Sequence, residues 1–199
     1  MKKQVICIHG GDSYASYDEY LNFLKSHILT IEQLKKIGWK NKLQENLGDE
    51  YDVILPQMPC KWNAKYAEWK IWFDKIIPFL QDNVILVGHS MGSIFLVKYL
   101  SENKIDRKIT ATILVSAPFD EKDTDEKLMD FNLPDSIEGF KEQAGKIFLI
   151  QSEDDPVVPF VDLEKYGKVI PDAEKVIFKD RGHFSGEEFP EIIELIKNI

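Results

Sequence analysis

Three observations predict an α/β chain of three layers, with helices on both faces of a mostly parallel sheet. Six short apolar runs recur along the chain, helical patterns separate them, and the runs lack the strict apolar–polar alternation of a half-exposed sheet. The first run is 4–9 (QVICIH), closed by Gly10-Gly11. Ser16-Tyr17-Asp18-Glu19 then has the form of a capping box, in which hydroxyl and carboxylate satisfy free amides at a helix start. Thr30-Ile31-Glu32-Gln33 repeats that form and predicts a second helix running out near Gly48. Residues 51–55 (YDVIL) read as the next strand, stopped by Pro56.

Trp69, Trp72, Phe73, Ile76 and Leu80 follow the i, i+3, i+4, i+7 spacing of one apolar helical face, which Pro78 bends or ends. Residues 83–87 (NVILV) form the third strand, and 91–100, apolar nearly all round, a buried helix. Runs 110–116, 146–151 and 175–178 supply three more strands, and Phe189, Ile192, Ile193 and Ile196 mark a last helix. The alternation implies crossover helices packed on both faces of the sheet.

A chain of 199 residues is long enough to bury a real core, and nothing resembling a linker or repeat divides it, so one domain over 1–199 is expected. Its 25 Lys and Arg against 34 Asp and Glu leave a net charge of −9. That balance argues against a surface that neutralises phosphates, and so against a nucleic-acid partner. It argues equally against a polybasic membrane anchor, and no apolar run is long enough to span a bilayer. Met1-Lys2-Lys3-Gln4 leads directly into the first strand without a signal-peptide pattern, and Cys7 and Cys60 cannot make a disulfide framework. The expectation is a cytoplasmic protein with reduced thiols.

The sharpest chemical signal is Gly88-His89-Ser90-Met91-Gly92, a G-x-S-x-G pattern between a strand and a helix. A serine on so tight a turn takes a strained backbone conformation, and glycines are needed where the turn meets neighbouring strands. The following helix offers free amides to a developing oxyanion. The competing reading is a tight structural turn. A serine hydroxyl needs a base. Of four histidines, His27 falls in or just after a helix, at the surface, His9 ends the first strand, and His89 is pinned within the turn. His183, on the loop after the last strand, is the candidate base, against an ordinary loop histidine. An imidazole in turn needs an orienting carboxylate. Ser152-Glu153-Asp154-Asp155-Pro156 follows the fifth strand, and Pro156 favours Asp155 by holding it extended. Asp154 stands second, with Asp120 and Asp180 behind it, and a solvated acidic turn is the plainer alternative.

These residues resemble the α/β-hydrolase superfamily, in the order nucleophile, acid, histidine. More narrowly, the chain resembles the small single-domain serine hydrolases grouped with the retinoblastoma-binding serine hydrolase and its bacterial relatives. The likeness runs through Ile8-His9-Gly10-Gly11, Leu55-Pro56-Gln57-Met58-Pro59, the Gly88–Gly92 turn, Ser116-Ala117-Pro118, 152–159 and Gly182-His183-Phe184. It implies a six-stranded parallel sheet in the order 2-1-3-4-5-6 without a large cap. It also implies an oxyanion hole built from the backbone amides of Gly11 and Met91. Two departures stand out. Residues 12–50 hold two helices where one would serve, a helical insertion near the site. Cys60-Lys61-Trp62-Asn63 replaces a more proline-rich turn.

Other signals carry less. Cys60 lacks a turn and helix of its own to activate it. Trp62 and Phe119 are candidates to line a substrate pocket, whereas Trp69 and Trp72 have core spacing. The scattered histidines match no metal motif, and Gly10-Gly11 fits no nucleotide loop, so no metal or cofactor is expected. Residues 119–143 carry nine acids against three lysines, −6 of the chain's −9. They form either a solvated connection or a short acidic lid over 119–145, which would favour cationic or neutral substrates. The expected activity is acyl transfer from a small or medium carboxylic ester, thioester or amide to water or another small acceptor. The alternative is a hydrolase-like binding module with a protein partner.

Overall fold

The computed structural model describes residues 2–124 and 126–199. Six strands, β1 (Lys3–Ile8), β2 (Tyr51–Ile54), β3 (Val84–His89), β4 (Ile109–Val115), β5 (Lys146–Ser152) and β6 (Glu174–Phe178), form one sheet. Every neighbouring pair is parallel and the order is β2-β1-β3-β4-β5-β6. The register sets Ile8 beside Gly88 and Val115 beside both His89 and Ile150, so these strands end together along one edge. Parallel strands need crossovers, and helices α1 (Tyr17–Ser26), α2 (Ile31–Lys35), α3 (Leu43–Leu47), α4 (Tyr66–Ile76), α5 (Met91–Glu102), α6 (Glu138–Gln143), α7 (Val161–Val169) and α8 (Pro190–Lys197) lie among them.

Side chains alternate across each strand, and this splits the core in two. Ile6, Ile8 and Leu86 face Trp69 and Phe73 of α4, Phe95 of α5, Phe140 of α6 and Tyr166 of α7. Val5, Cys7, Ile85 and Val87 face Leu43 and Leu47 of α3 and Ile192 and Ile196 of α8. Helix α5 supplies nine buried residues, as its all-round apolar pattern predicts. Trp69, Phe73 and Leu80 are buried as the helical spacing requires, but Trp72 points outward and is 44% exposed. The α4 helix stops at Ile76, and Pro78 sits in the 3₁₀ turn that follows.

The insertion departs from its expected form. Thr30 caps α2 through a complete capping box, yet the helix ends at Lys35 instead of running to Gly48. The chain extends at Gly38, and Trp39 turns into the core beneath α8, where its indole N–H donates to the carbonyl of Phe184 at 2.9 Å. Burying one large side chain with a satisfied N–H outweighs continuation of a helix that has no apolar face to bury. Helices α1 and α2 bury no residue, and Leu24, Ile28, Leu29, Ile31, Leu34 and Ile37 are exposed.

Candidate active site

Ser90 stands at the carboxyl end of β3, directly before α5, at φ 55° and ψ −125°. A left-handed φ on a residue with a side chain costs energy and persists only where its surroundings hold it. The Ser90 N–H donates to Val115 O at 2.8 Å, and Ser93 Oγ donates to the same carbonyl. A Cβ on Gly88 would lie 2.6 Å from Ser93 Cα, and one on Gly92 would strike the Ile8 carbonyl. Gly10 is almost as constrained, because its Cβ would approach Ser90 Cβ to 3.1 Å. The glycines of the motif are therefore demanded by close backbone approach.

His183 and Asp155 reach the same edge from the loops after β6 and β5. His183 Nδ1 lies 3.1 and 3.0 Å from the two carboxylate oxygens of Asp155, whose side chain is fully buried. The carboxylate is satisfied all round. Oδ1 accepts from the Val157 and Val158 amides, and Oδ2 accepts from Ser116 Oγ at 2.7 Å. Burial pushes the Asp155 carboxyl up, but the hydrogen bond and charge of His183, the Val158 amide and the Ser116 hydroxyl hold it below the usual carboxylate range. Asp154 braces the histidine loop instead. Its Oδ1 accepts from Ser152 Oγ and from the Gly182 amide at 2.8 Å, fixing the backbone next to His183. Asp120 is engaged elsewhere, with Lys165.

The His183 loop is braced from below as well. His89 donates from Nε2 to the His183 carbonyl at 2.9 Å and accepts at Nδ1 from the Lys40 ammonium at 3.2 Å. Burial first, then the nearby positive charge of Lys40, keeps the His89 imidazole neutral, which that pattern of donor and acceptor requires. Ser116, Asp154, Trp39, Lys40 and His89 thus position the three central residues without standing among them. The sequence marks Asp154 as a second candidate acid, His89 as pinned within the turn and Ser116-Ala117-Pro118 as part of the resemblance, none of them in this bracing role, while Trp39 and Lys40 carry no signal.

Ser90, His183, Gly11 and Met91 line one chamber of about 320 Å³, with walls from Trp62, Leu128, Val157, Val158 and Pro159. Asp12 also enters it; burial, helped by Glu126, raises its carboxyl to about 6. Trp62 is where the sequence places it, and the indole stacks toward Phe23 at 6.3 Å. Phe119 is not part of this chamber. It packs edge-on against Tyr166 at 4.9 Å and borders a separate depression with Leu133, because its amide is tied back to Asp162.

Four acids of the stretch after β4, Asp120, Glu121, Asp123 and Asp130, are engaged within the fold. Lys165 donates to Asp120, Asp123 and Asp162 at 2.7, 2.7 and 2.9 Å, filling the one group of carboxylates among the described residues that converges like a metal cage. Burial opposes that ammonium, but the three carboxylates raise it well above its ordinary value. Glu121 accepts from the Leu128 and Met129 amides, and Asp130 from the Tyr66 amide. Thr124, Glu126, Lys127 and Leu128 reach the chamber wall.

The family model described as "Serine hydrolase" matches residues 33–197. The chain belongs to the serine hydrolase family. This serine hydrolase is 29% identical over 170 residues to Serine hydrolase RBBP9 of Rattus norvegicus, covering 81% of the chain and 84% of that protein. Solved structures share its fold. The ydeN gene product of B. subtilis superposes with a TM-score of 0.77 at 21% identity, over 99% of this chain and 98% of that one. A meta-cleavage product hydrolase from Pseudomonas fluorescens superposes with a TM-score of 0.67 at 17% identity, over 98% and 89%. The serine hydrolase fold therefore carries Ser90, Asp155 and His183 on the three loops that converge at the carboxyl edge of its sheet.

Proposed function

We propose that this hydrolase cleaves a small or medium carboxylic ester through an acyl-enzyme on Ser90, with thioesters and small amides within the same chemistry. The observation that carries the reading is a strained serine sharing a mostly apolar chamber with an imidazole whose other nitrogen faces a buried carboxylate.

His183 Nε2 takes the proton as Ser90 Oγ attacks the carbonyl, while Nδ1–H remains donated to Asp155. The amides of Gly11 and Met91 receive the negative charge that develops on the carbonyl oxygen. The alcohol leaves with the proton from His183, and a water repeats the cycle in reverse to free the acid. Trp62 and the valines of the chamber exclude water from the acyl chain. Only a neutral His183 ring can accept the serine proton. None of these steps calls on a cofactor. No helix among the described residues is long and apolar enough to cross a membrane.

Covalent labelling with a fluorophosphonate, read by intact mass, tests the assignment. Wild type should gain a single adduct, Ser90→Ala none, and His183→Ala should label roughly 10²–10⁴-fold more slowly. A well-folded wild type that takes no adduct would refute the nucleophile and favour a binding module.

A further inference from the structure

A second cleft, about 540 Å³, opens on the β1–β2 side of the nucleophile and shares Gly10, Lys61, Trp62 and His89 with the chamber. Gly10 lines both, and its backbone lies directly against Ser90. The cleft differs sharply in chemistry from the rest of the molecule. Lys36, Lys40 and Lys61 line it with His9 and His89, and none of its described lining residues is Asp or Glu. The charged residues lining this concavity are all cationic, in a chain whose net charge is −9.

The three ammonium groups are not neutralised from within. None forms an ion pair with a carboxylate among the described residues. Lys40 donates to His89, and Lys61 lies 5.4 Å over the Trp62 ring. The histidines do not answer the charge either. His9 Nε2 accepts from the Met58 amide, and both rings are driven toward the neutral form, first by burial and then by the lysines. Lys40 itself is held below its ordinary range, first by burial and also by Lys61 and Lys36. Like charges gathered beside a nucleophile without counter-charge raise the free energy of the empty site, and an anion bound there relieves it.

We infer that this cleft is a subsite for an anionic group, a carboxylate or phosphate, carried on the arm of the substrate that leaves Ser90 toward the β1–β2 side. The inference deepens the ester-hydrolase reading and rests on it for the kinetic part of its test. The apolar chamber then holds one arm of the ester and the cationic cleft the other, so the preferred substrate is amphiphilic, with its scissile carbonyl between a hydrocarbon portion and a negative charge.

Two matched pairs of esters separate the arms. One pair, the acetates of 4-hydroxybenzoate and 4-hydroxybenzamide, carries the charge on the alcohol. The other, 4-nitrophenyl adipate monoester and its terminal amide, carries it on the acid. After correction for spontaneous hydrolysis, one pair should show kcat/KM about tenfold higher for the carboxylate at low salt, with the ratio falling toward one near 0.5 M salt. Lys36→Glu combined with Lys61→Glu should erase or invert that ratio, and a ratio cancels any general loss of activity. Ratios within about twofold in both pairs, from enzyme that labels at Ser90, would overturn the inference, as would a preference indifferent to the double reversal.

Calorimetric titration with glutarate against glutaramide reads the cleft without turnover, so it still decides if Ser90 proves unreactive. Glutarate binding weakened about tenfold by the double reversal supports the subsite. Equal or absent binding of the two compounds overturns it.

Discussion

The two hollows beside Ser90 are built from opposite materials. The chamber on the β4–β5 side is walled by Leu128, Val157, Val158 and Pro159, from the loops after β4 and β5. The cleft on the β1–β2 side takes Lys36 and Lys40 from the insertion after β1 and Lys61 from the turn after β2, beside neutral residues such as Gln33, Asn41 and Gln57. The sequence suggests the reverse bias, because 119–143 holds most of the excess acid. The difference teaches that segment charge and site charge are separate quantities. Asp120, Asp123, Glu121 and Asp130 are spent on Lys165 and on backbone amides, whereas Lys36, Lys40 and Lys61 form no ion pair with a carboxylate among the described residues.

Four substitutions probe that contrast, beginning with the largest effect. Asp155→Asn should lower kcat/KM by about 10³–10⁴ for every ester, whatever its chain length or charge, since the carboxylate serves both hollows. A loss confined to one substrate class, in steady-state kinetics across an ester series, would contradict that common role. Val157→Trp narrows the chamber alone. It should cost hexanoyl esters roughly 10–100-fold while acetyl esters and the carboxylate-to-amide ratio stay within about twofold.

Ser116→Ala removes the hydroxyl donated to Asp155 and should reduce kcat about tenfold, with KM little changed and Ser116→Thr restoring part of the loss. The measurement is the kcat and KM split on a butyryl ester. The smallest effect concerns stability. Asp12, with its folded carboxyl raised to about 6 from 3.8, destabilises the fold as it ionises. The penalty is absent below the unfolded pKa and complete above the folded one. Asp12→Asn should therefore gain on the order of 1 kcal/mol near pH 8 and nothing near pH 3.5, read by urea denaturation at both. Asp155 has the opposite sign: its lowered carboxyl contributes stability above the unfolded pKa and loses it as pH falls through the folded one.

Much of the frame was legible because its signals are local. Apolar runs bounded by Gly, Pro and Asp mark all six strands to within about two residues. The Gly88–Gly92 turn is legible for the same reason: its glycines answer clashes that a strand-to-helix turn always creates. The second helix of the insertion is misread near Gly38 because Trp39 answers to Phe184 and Phe189, about 145 residues away, and no local periodicity encodes that. Phe119 is misplaced for a similar reason. Lying after β4 puts it at the right edge of the sheet, but Asp162 and Tyr166 of α7 decide which way it turns.

By itself, the sequence determined the α/β class, the strained serine, and the chain order of serine, carboxylate and histidine. The class and the serine turn follow from residues within a few positions of one another, and the order from the edge of the sheet to which parallel strands deliver their loops. Only the tertiary structure decided which of two adjacent aspartates faces His183, that Ser116 and Asp154 hold the pair in place, and that uncompensated lysines gather on one side of the nucleophile. Those outcomes depend on which loops meet at the sheet edge. Hydrogen bonds and unscreened charges act over a few ångströms of space, whatever the distance along the chain.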